Sequence, residues 1–236
     1  MVYVGSKERL SKYIIPILQN IIDDNKIETY IEPFVGGANI IDKIRCKNRL
    51  GNDLHIGLIE IYKAVQRGWI PPATITECDY QKAKNGLIPE PLKSYIGFNG
   101  SFGSKYFGGF ARCFKNDGIT PRDRYFEKTS RFLKQIPLLQ SIEFSSGEYF
   151  KLEIPDNSLI YCDPPYEGTQ GYSVNKFKHN IFWEWVRQQT ENNFVLVSEF
   201  TAPNDFMSIW NKERKCSLDI NTGSKSAIEN LFKLKK

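Results

Sequence analysis

Apolar side chains recur at three- and four-residue spacing near the start of the chain. They are Leu10, Tyr13, Ile14, Ile17, Leu18, Ile21 and Ile22. This period places them on one face of a helix, so residues 8–23 are predicted to form an amphipathic helix despite Pro16. Strand-like and helix-like runs then alternate to about residue 68, where Arg67 and Gly68 supply a stop signal. Alternation of this kind predicts a parallel sheet.

The second half of the chain shows the same two periods. Residues 177–189 have a helical pattern, and the run FVLVSEF at 194–200 is typical of a buried strand. Residues 227–234 alternate well enough for a last strand. At 236 residues the chain has room for one substantial α/β core and a small inserted module.

The most informative segment is the tetrapeptide Asp163-Pro164-Pro165-Tyr166, which follows the apolar run Leu159–Cys162. The run predicts a buried strand, and the carboxyl ends of strands are where open α/β sheets bind ligands. Two prolines stiffen the turn and leave carbonyl oxygens as its backbone polar groups, because proline has no N–H. Asp163 adds a second acceptor beside the Pro164 carbonyl.

Two neighbouring acceptors suit a ligand with two N–H donors on one nitrogen, such as an exocyclic amino group. The Tyr166 ring could stack on a flat heterocycle, a contact worth roughly 1–3 kcal/mol per base. These residues together indicate a nucleobase site. The alternative is an ordinary strand ending in a proline turn, with Asp163 as turn former and Tyr166 as core filler.

A second candidate site lies upstream, in the run TYIEPFVGGANII at residues 29–41. Strand-like residues lead into Gly36 and Gly37, which allow a tight turn, and Ile40, Ile41 and Ile44 then predict a helix. Such a turn can bring backbone N–H groups to a ligand. The pattern is not the dinucleotide fingerprint, and an ordinary strand-to-helix turn is the alternative.

Asp53 ends the next predicted strand, about 16 residues past the two glycines. An acid at this place in an α/β sheet commonly holds the hydroxyl pair of a ribose. Its alternative role is the N-cap of the helix that carries Leu54, Leu58, Ile61 and Val65.

Residues 73–135 change the pattern, because this segment is rich in glycine, aromatic and basic side chains without a clean period. Lys105, Arg112, Arg122 and Arg124 are its candidate phosphate contacts, since basic side chains neutralise phosphates. We interpret the segment as a DNA-recognition insert. The alternative is a loop-rich lid or an aromatic mini-core with solvated charges.

Amino-acid composition restricts the possible functions less strongly than these motifs do. The net charge of +5 fits a polyanionic partner without requiring one. Five cysteines lie more than thirty residues apart and two histidines are present, which disfavours a metal site, a disulfide framework or a histidine triad. No signal-peptide core and no apolar stretch of 18 residues is present, so a cytoplasmic location is expected.

The chain resembles the Dam-type family of S-adenosylmethionine-dependent DNA adenine methyltransferases. The matching pieces, in order, are YVGSK at 3–7, EPFVGGAN at 32–39, ND at 52–53 and DPPY at 163–166. Weaker likeness continues through VSEFTAP at 197–203 to SAIENLF near residue 232. The resemblance implies a Rossmann-like class I methyltransferase fold, with a mostly parallel sheet whose last strands include an antiparallel member.

The resemblance also implies residue roles. Cofactor contacts would come from Tyr3, Lys7, Phe34, Gly36, Gly37, Asp53 and Asp163. Catalysis would rest on the tetrapeptide, with Asp163 and the Pro164 carbonyl gripping an adenine amino group, Pro165 stiffening the turn and Tyr166 stacking on the flipped base. Ala38 stands where many relatives have glycine. Glu148, in Gly147-Glu148-Tyr149, stands where relatives often place an aspartate near the cofactor's adenine.

The implied organisation is a catalytic domain of residues 1–72 and 136–236, interrupted by a target-recognition region at 73–135. The implied activity is methylation of adenine N6 in a specific duplex DNA site, with a cognate restriction endonuclease as a further expected partner. Two alternatives stay open: methylation of cytosine N4 or an RNA base, and a catalytically silent DNA-binding remnant of a phage or restriction system. The first would normally replace Asp163 with Ser or Asn.

Overall fold

The computed structural model describes residues 1–112, 122–167, 177–215 and 226–235. Within these ranges the α-helices are α1 (Ser11–Asn25), α2 (Ile56–Gln66), α3 (Glu77–Lys84), α4 (Leu92–Asn99), α5 (Arg124–Leu139) and α6 (His179–Gln189). The strands are β1 (Thr29–Glu32), β2 (Asn48–Asp53), β3 (Glu143–Ser146), β4 (Leu159–Cys162), β5 (Phe194–Glu199), β6 (Phe206–Lys215) and β7 (Ser226–Leu234). None of the helices in these ranges is long and apolar enough to cross a membrane.

The strands form one sheet in the order β3-β2-β1-β4-β5-β7-β6. The first five strands of that order pair in parallel, whereas β7 runs antiparallel to both β5 and β6. This confirms the predicted fold class, a mostly parallel Rossmann-like α/β sheet with an antiparallel member near its end. The chain order reverses between β1 and β4, and ligands bind at such switch points in α/β proteins.

Every residue of β4 is buried, as its uninterrupted apolar run predicts for a parallel strand covered on both faces. One core cluster includes the apolar face of α1, where Ile14 and Leu18 are fully buried. A second cluster contains Trp183 and Trp185 of α6. The two clusters fix the strand ends that carry the candidate site.

One predicted element is wrong. The segment with Ile40, Ile41 and Ile44 forms only a 3-10 turn, Ile41–Lys43, and Ile44 already has an extended backbone. All three isoleucines are nevertheless buried in the core. A short connection between two adjacent strands therefore buries the same side chains as a helix would. The helical spacing of these residues reflects their burial and does not produce a helix.

The predicted recognition insert is largely helical where it is described. It contains α3, α4 and most of α5, while residues 113–121 lie outside the described part. Tyr80, Ala83 and Ile96 form a small buried cluster. The segment thus contains the aromatic mini-core of the alternative interpretation, and α5 continues past residue 135.

Candidate active site

The glycine turn and the tetrapeptide follow adjacent parallel strands. Ile31 of β1 is paired with Ile160 of β4. Three residues beyond this pair lie Phe34 on one chain segment and Asp163 on the other. Since neighbouring strands are about 4.8 Å apart, the turn after β1 and the tetrapeptide after β4 share one edge of the sheet.

The turn after β1 needs glycine at position 36, where the backbone is left-handed and closely packed. Gly36 has φ +44°, in the left-handed region that favours glycine. The Tyr3 ring lies directly over it, 3.1 Å from where a β-carbon would be. The Tyr62 hydroxyl donates to the Gly36 carbonyl at 2.5 Å. Ala38 also has a positive φ, +54°, which explains why glycine suits that position in relatives.

Phe34 faces away from the Tyr3 side of this turn. Its ring centroid lies 5.2 Å from that of Tyr149 and 5.8 Å from that of Phe182. The Phe34 side chain therefore anchors the turn in the second core cluster. Any contact with a ligand would come from its backbone.

Asp53 is held at the end of β2 by backbone donors from two segments. The Gly36 N–H donates to one carboxylate oxygen at 3.1 Å, and the His55 N–H donates to the other at 2.9 Å. Burial raises the pKa of Asp53 above its ordinary value, although both N–H donors act against this shift. The N-cap of α2 is His55, whose Nδ1 accepts from the Leu58 N–H, so Asp53 does not have the alternative capping role.

Asn52 is a structural residue that the sequence interpretation did not single out. Its side-chain amide donates to the Pro33 carbonyl at 3.1 Å and to the Gly147 carbonyl at 2.9 Å. Its carbonyl oxygen accepts from the Ser145 hydroxyl. One buried amide thus joins the loops that follow β1 and β3, and only the Asn-Asp motif pointed to it.

Lys7 lies at the tetrapeptide. Its ammonium group donates to Asp163 Oδ1 at 2.6 Å and lies 3.5 Å from Glu229 Oε1. Lys7 is 5% exposed. Burial raises the pKa of Asp163, while the Lys7 charge opposes that shift. The resemblance implied a cofactor contact for Lys7, and the geometry brings it to the carboxylate expected to bind the target base.

Tyr166 is packed between three side chains. The Lys7 ammonium lies 4.5 Å from its ring centroid, and the Phe200 ring meets it edge-on at 4.7 Å. Its hydroxyl donates to Glu229 of β7. The preceding strand residue, Cys162, is fully buried, and burial raises the pKa of its thiol well above the ordinary value.

The four candidate DNA contacts lie in or beside the insert, and three of them are held by acids. Arg112 makes a bidentate ion pair with Glu77, and Arg122 makes one with Glu127. Arg124 lies 3.9 Å from the same Glu127. Lys105 is exposed in the loop after α4.

A groove of about 570 Å³ runs along one face of β1, β2 and β3 and ends near Glu148. Asn52, Gly147 and Glu148 are among its lining residues, whereas Gly36, Asp53 and Asp163 are not. The groove thus reaches only the β3 side of the candidate site.

The sheet order and the acids at the ends of β2 and β4 define a Rossmann-like protein with a candidate methyltransferase site. A family model described as D12 class N6 adenine-specific DNA methyltransferase matches residues 3–91. This match covers the part of the chain that carries YVGSK, EPFVGGAN and ND, and it agrees with the resemblance seen in these motifs.

Two curated relatives extend the likeness along the chain. The Modification methylase StsI of Streptococcus sanguinis is 25% identical over 207 residues, covering 78% of this chain and 30% of the relative. The Type II methyltransferase M.FokI of Planomicrobium okeanokoites is 23% identical over 232 residues, covering 89% and 35%. The chain therefore spans about a third of the length of these relatives.

Among solved structures, the Escherichia coli protein yhhF aligns with 97% of this chain and 83% of its own, at 8% identity and a TM-score of 0.39. A score this low supports no argument. The fold assignment rests on the sheet order itself.

Proposed function

We propose that this protein is a DNA adenine methyltransferase, which transfers a methyl group from S-adenosylmethionine to the N6 amino group of an adenine flipped out of a specific duplex site. The observation that carries the proposal is the adjacency of Asp163 to the glycine turn across β1 and β4. The family-model match over residues 3–91 and the names of the two relatives support the same activity. Those names also favour a role beside a cognate restriction endonuclease.

The residues around the turn fit S-adenosylmethionine. Asp53 is fixed by two backbone donors and keeps acceptor capacity for a ribose diol. The bend at Gly36 allows close backbone approach. Among the described residues, the two carboxyl groups of Asp163 and Glu229 lie against the one ammonium group of Lys7, which favours a ligand that carries positive charge. The bound cofactor would supply an electrophilic methyl group on a sulfonium.

The tetrapeptide would prepare the acceptor nitrogen. The lone pair of an adenine amino group is delocalised into the ring, so the nitrogen is a poor nucleophile. Asp163 and the Pro164 carbonyl would each accept one of its N–H bonds and direct the lone pair toward the methyl group. Positioning and electrostatic stabilisation then provide the rate enhancement.

No covalent bond to the protein is needed in this mechanism. The nitrogen carries an extra proton after transfer, and Asp163 can accept it because burial raises the pKa of this carboxyl. Cys162 does not act as a nucleophile in this scheme, since its thiol is buried and its pKa is raised.

A base inside a duplex cannot reach this edge of the sheet, so the target must leave the stack at a cost of a few kcal/mol. We propose that phosphate contacts from the insert at residues 73–135 offset part of this cost. Arg112, Arg122 and Arg124 would exchange a carboxylate partner for a phosphate, while Lys105 is already exposed.

Incubation of the protein with methyl-labelled S-adenosylmethionine and plasmid DNA tests the proposed activity. Label is expected in DNA, and nucleoside analysis is expected to recover it as N6-methyladenine. Recovery of the label as N4-methylcytosine would show that the target base is cytosine and not adenine. Label in RNA only, or no transfer under any condition while DNA is bound, would contradict the proposed function.

Replacement of Asp53 with Ala is expected to weaken S-adenosylmethionine binding by about 10- to 100-fold, because hydrogen bonds to a charged group are worth roughly 1.5–3 kcal/mol. Isothermal titration with cofactor alone measures the effect. Asp53→Asn is the matched control and should lose less affinity, since it keeps one acceptor oxygen. Unchanged affinity in Asp53→Ala would remove Asp53 from the cofactor site.

Replacement of Lys105 with Ala is expected to weaken DNA binding similarly for all sequences and to reduce the salt dependence of the affinity by about one unit of slope. Fluorescence anisotropy at several salt concentrations provides the measurement. Lys47, exposed before β2 at the opposite end of the strands, supplies the control variant Lys47→Ala. Equal slopes for both variants would place the DNA elsewhere.

A further inference from the structure

Glu199 lies at the carboxyl end of β5, beside the catalytic strand. Val197 of β5 is paired with Cys162 of β4, so Glu199 is two residues past the pair and Asp163 one residue past it. The side chain is only 2% exposed. The intervening Ser198 points to another partner, the Tyr161 hydroxyl at 2.8 Å.

The Glu199 carboxyl group rests against the chain that leaves the tetrapeptide. Its Oε1 accepts from the Phe200 N–H at 3.0 Å, and the nearby backbone of Glu167 acts to lower the pKa of this carboxyl. Glu167 immediately follows Tyr166. The carboxyl group is therefore placed at the tip of the segment expected to hold the target base.

The second oxygen of Glu199, Oε2, is buried and has no hydrogen-bond partner within the described residues. A buried polar atom without a partner costs about 1–3 kcal/mol. Such a cost at a ligand site is recovered when a bound ligand provides the missing partner.

The surroundings keep this carboxyl uncharged at neutral pH. Burial raises the pKa of Glu199 to about 8, and the charges of Asp163 on β4 and Glu229 on β7 add to the effect. The cation of this site, Lys7, bonds Asp163 and lies near Glu229. A carboxylic acid in this state carries a proton and can donate a hydrogen bond.

We propose that Glu199 is a second base-contacting residue, which donates a hydrogen bond from Oε2 to the ring nitrogen next to the amino group held by Asp163. The inference rests on the proposed methyltransferase function. In the sheet order, β1 and its glycine turn lie on one side of β4 and β5 lies on the other. With the methyl donor on the β1 side, a flank of the base faces Glu199.

Adenine offers an acceptor nitrogen on either side of its amino group, N1 or N7. Asp163 would thus accept from the amino group while Glu199 donates to the neighbouring ring nitrogen. With N1 as the contacted nitrogen, this donor and acceptor pair distinguishes adenine from guanine, whose six-membered ring has a carbonyl and an N–H on that edge. Glu199 is therefore proposed to contribute to base selection.

The sharpest test combines a protein change with an atomic change in the substrate. Duplexes with 1-deazaadenine or 7-deazaadenine at the target position each lack one ring nitrogen. With wild-type protein, one of the two analogues is expected to lower kcat/KM for methyl transfer by about 10- to 100-fold, the effect of losing one hydrogen bond to a buried group. Glu199→Ala should show a similar decrease in kcat/KM with adenine as the target, and little further decrease when that analogue replaces adenine.

Glu199→Gln is the matched variant, because its amide is a permanent uncharged donor of nearly the same shape. It is expected to rescue transfer to within about threefold of wild type at pH 7. Wild-type activity should fall as pH rises through about 8, since an ionised Glu199 loses its donor and repels the ring nitrogen. Glu199→Gln should lose this alkaline decrease.

Several results would overturn the inference. The first is equal wild-type activity on adenine and on both analogues. The second is that Glu199→Ala is as sensitive to the analogues as wild type. The third is the same alkaline decrease in Glu199→Gln as in wild type. The wild-type comparison remains decisive if Glu199→Ala fails to fold. Failure of the proposed function itself looks different, because wild-type protein would then not methylate the unmodified adenine duplex.

Discussion

Asp163→Ala is expected to lower the rate of methyl transfer by at least about 100-fold, the scale on which single electrostatic contacts act in catalysis. The variant removes one of the two acceptors that would hold the amino group, while the glycine turn and Asp53 remain in place. Cofactor affinity should be mostly retained. Single-turnover transfer with saturating cofactor separates the two effects.

Asp163→Asn is the matched variant, because it keeps one acceptor oxygen without the charge. We expect intermediate activity, and we expect wild-type activity to decline on acidification through a pKa above the ordinary aspartate value, since burial raises it. The asparagine variant should lack this acidic decline. If Asp163→Ala transferred methyl groups at the wild-type rate, the tetrapeptide would have no role in the chemistry.

Lys7→Met is expected to reduce the free energy of unfolding by about 3–5 kcal/mol, the typical cost of removing one partner from a buried ion pair. The methionine would fill most of the volume but leave the half-buried carboxylate of Asp163 and the buried carboxylate of Glu229 without their cation. Urea unfolding followed by circular dichroism measures the difference.

The exposed pair of Lys47 and Glu28 supplies the control, because both side chains are 67% exposed. Lys47→Met should change stability by less than about 1 kcal/mol. The deficit of Lys7→Met should be smaller under acidic than under neutral conditions, since burial raises the pKa of Asp163 and this carboxyl becomes neutral on acidification. Equal effects of the two variants would show that Lys7 has no special electrostatic role.

Local sequence patterns predicted the elements that carry the site. The period of Ile14 and Leu18 identified α1, and the apolar run before Asp163 identified β4. Both patterns depend on side chains that are fully buried in the structure. Residues at strand ends, such as Asp53 and Asp163, could be located because the ends of adjacent parallel strands lie at one edge.

Long-range contacts could not be predicted from these patterns. Lys7 and Asp163 are 156 positions apart, and no local period links them. Glu229 was not identified because a single glutamate in an alternating strand resembles a solvent-facing residue, yet it is fully buried. Glu199 belongs to the run at 194–200 that predicts a buried strand, but only the three-dimensional structure shows that its Oε2 has no partner among the described residues.

The sequence also underestimated regular structure outside the central sheet. β6 was missed because FMSIWNKERK mixes charged and aromatic residues at the edge of the sheet, where one side of the strand is exposed. α5 was read only as a group of basic residues, although Tyr125, Phe132 and Leu139 form its buried face. Their spacing of seven residues, which is about two helical turns, was available in the sequence.

The position of β7 between β5 and β6 has a consequence for synthesis of the chain on the ribosome. A nascent polypeptide that has emerged only through residue 215 has made both flanking strands, but it lacks the strand that joins them and brings Glu229 to Lys7. The pocket is therefore completed only after β7 has emerged. Ribosome-bound intermediates that stop before β7 would lack the Glu229 side of the Lys7 site.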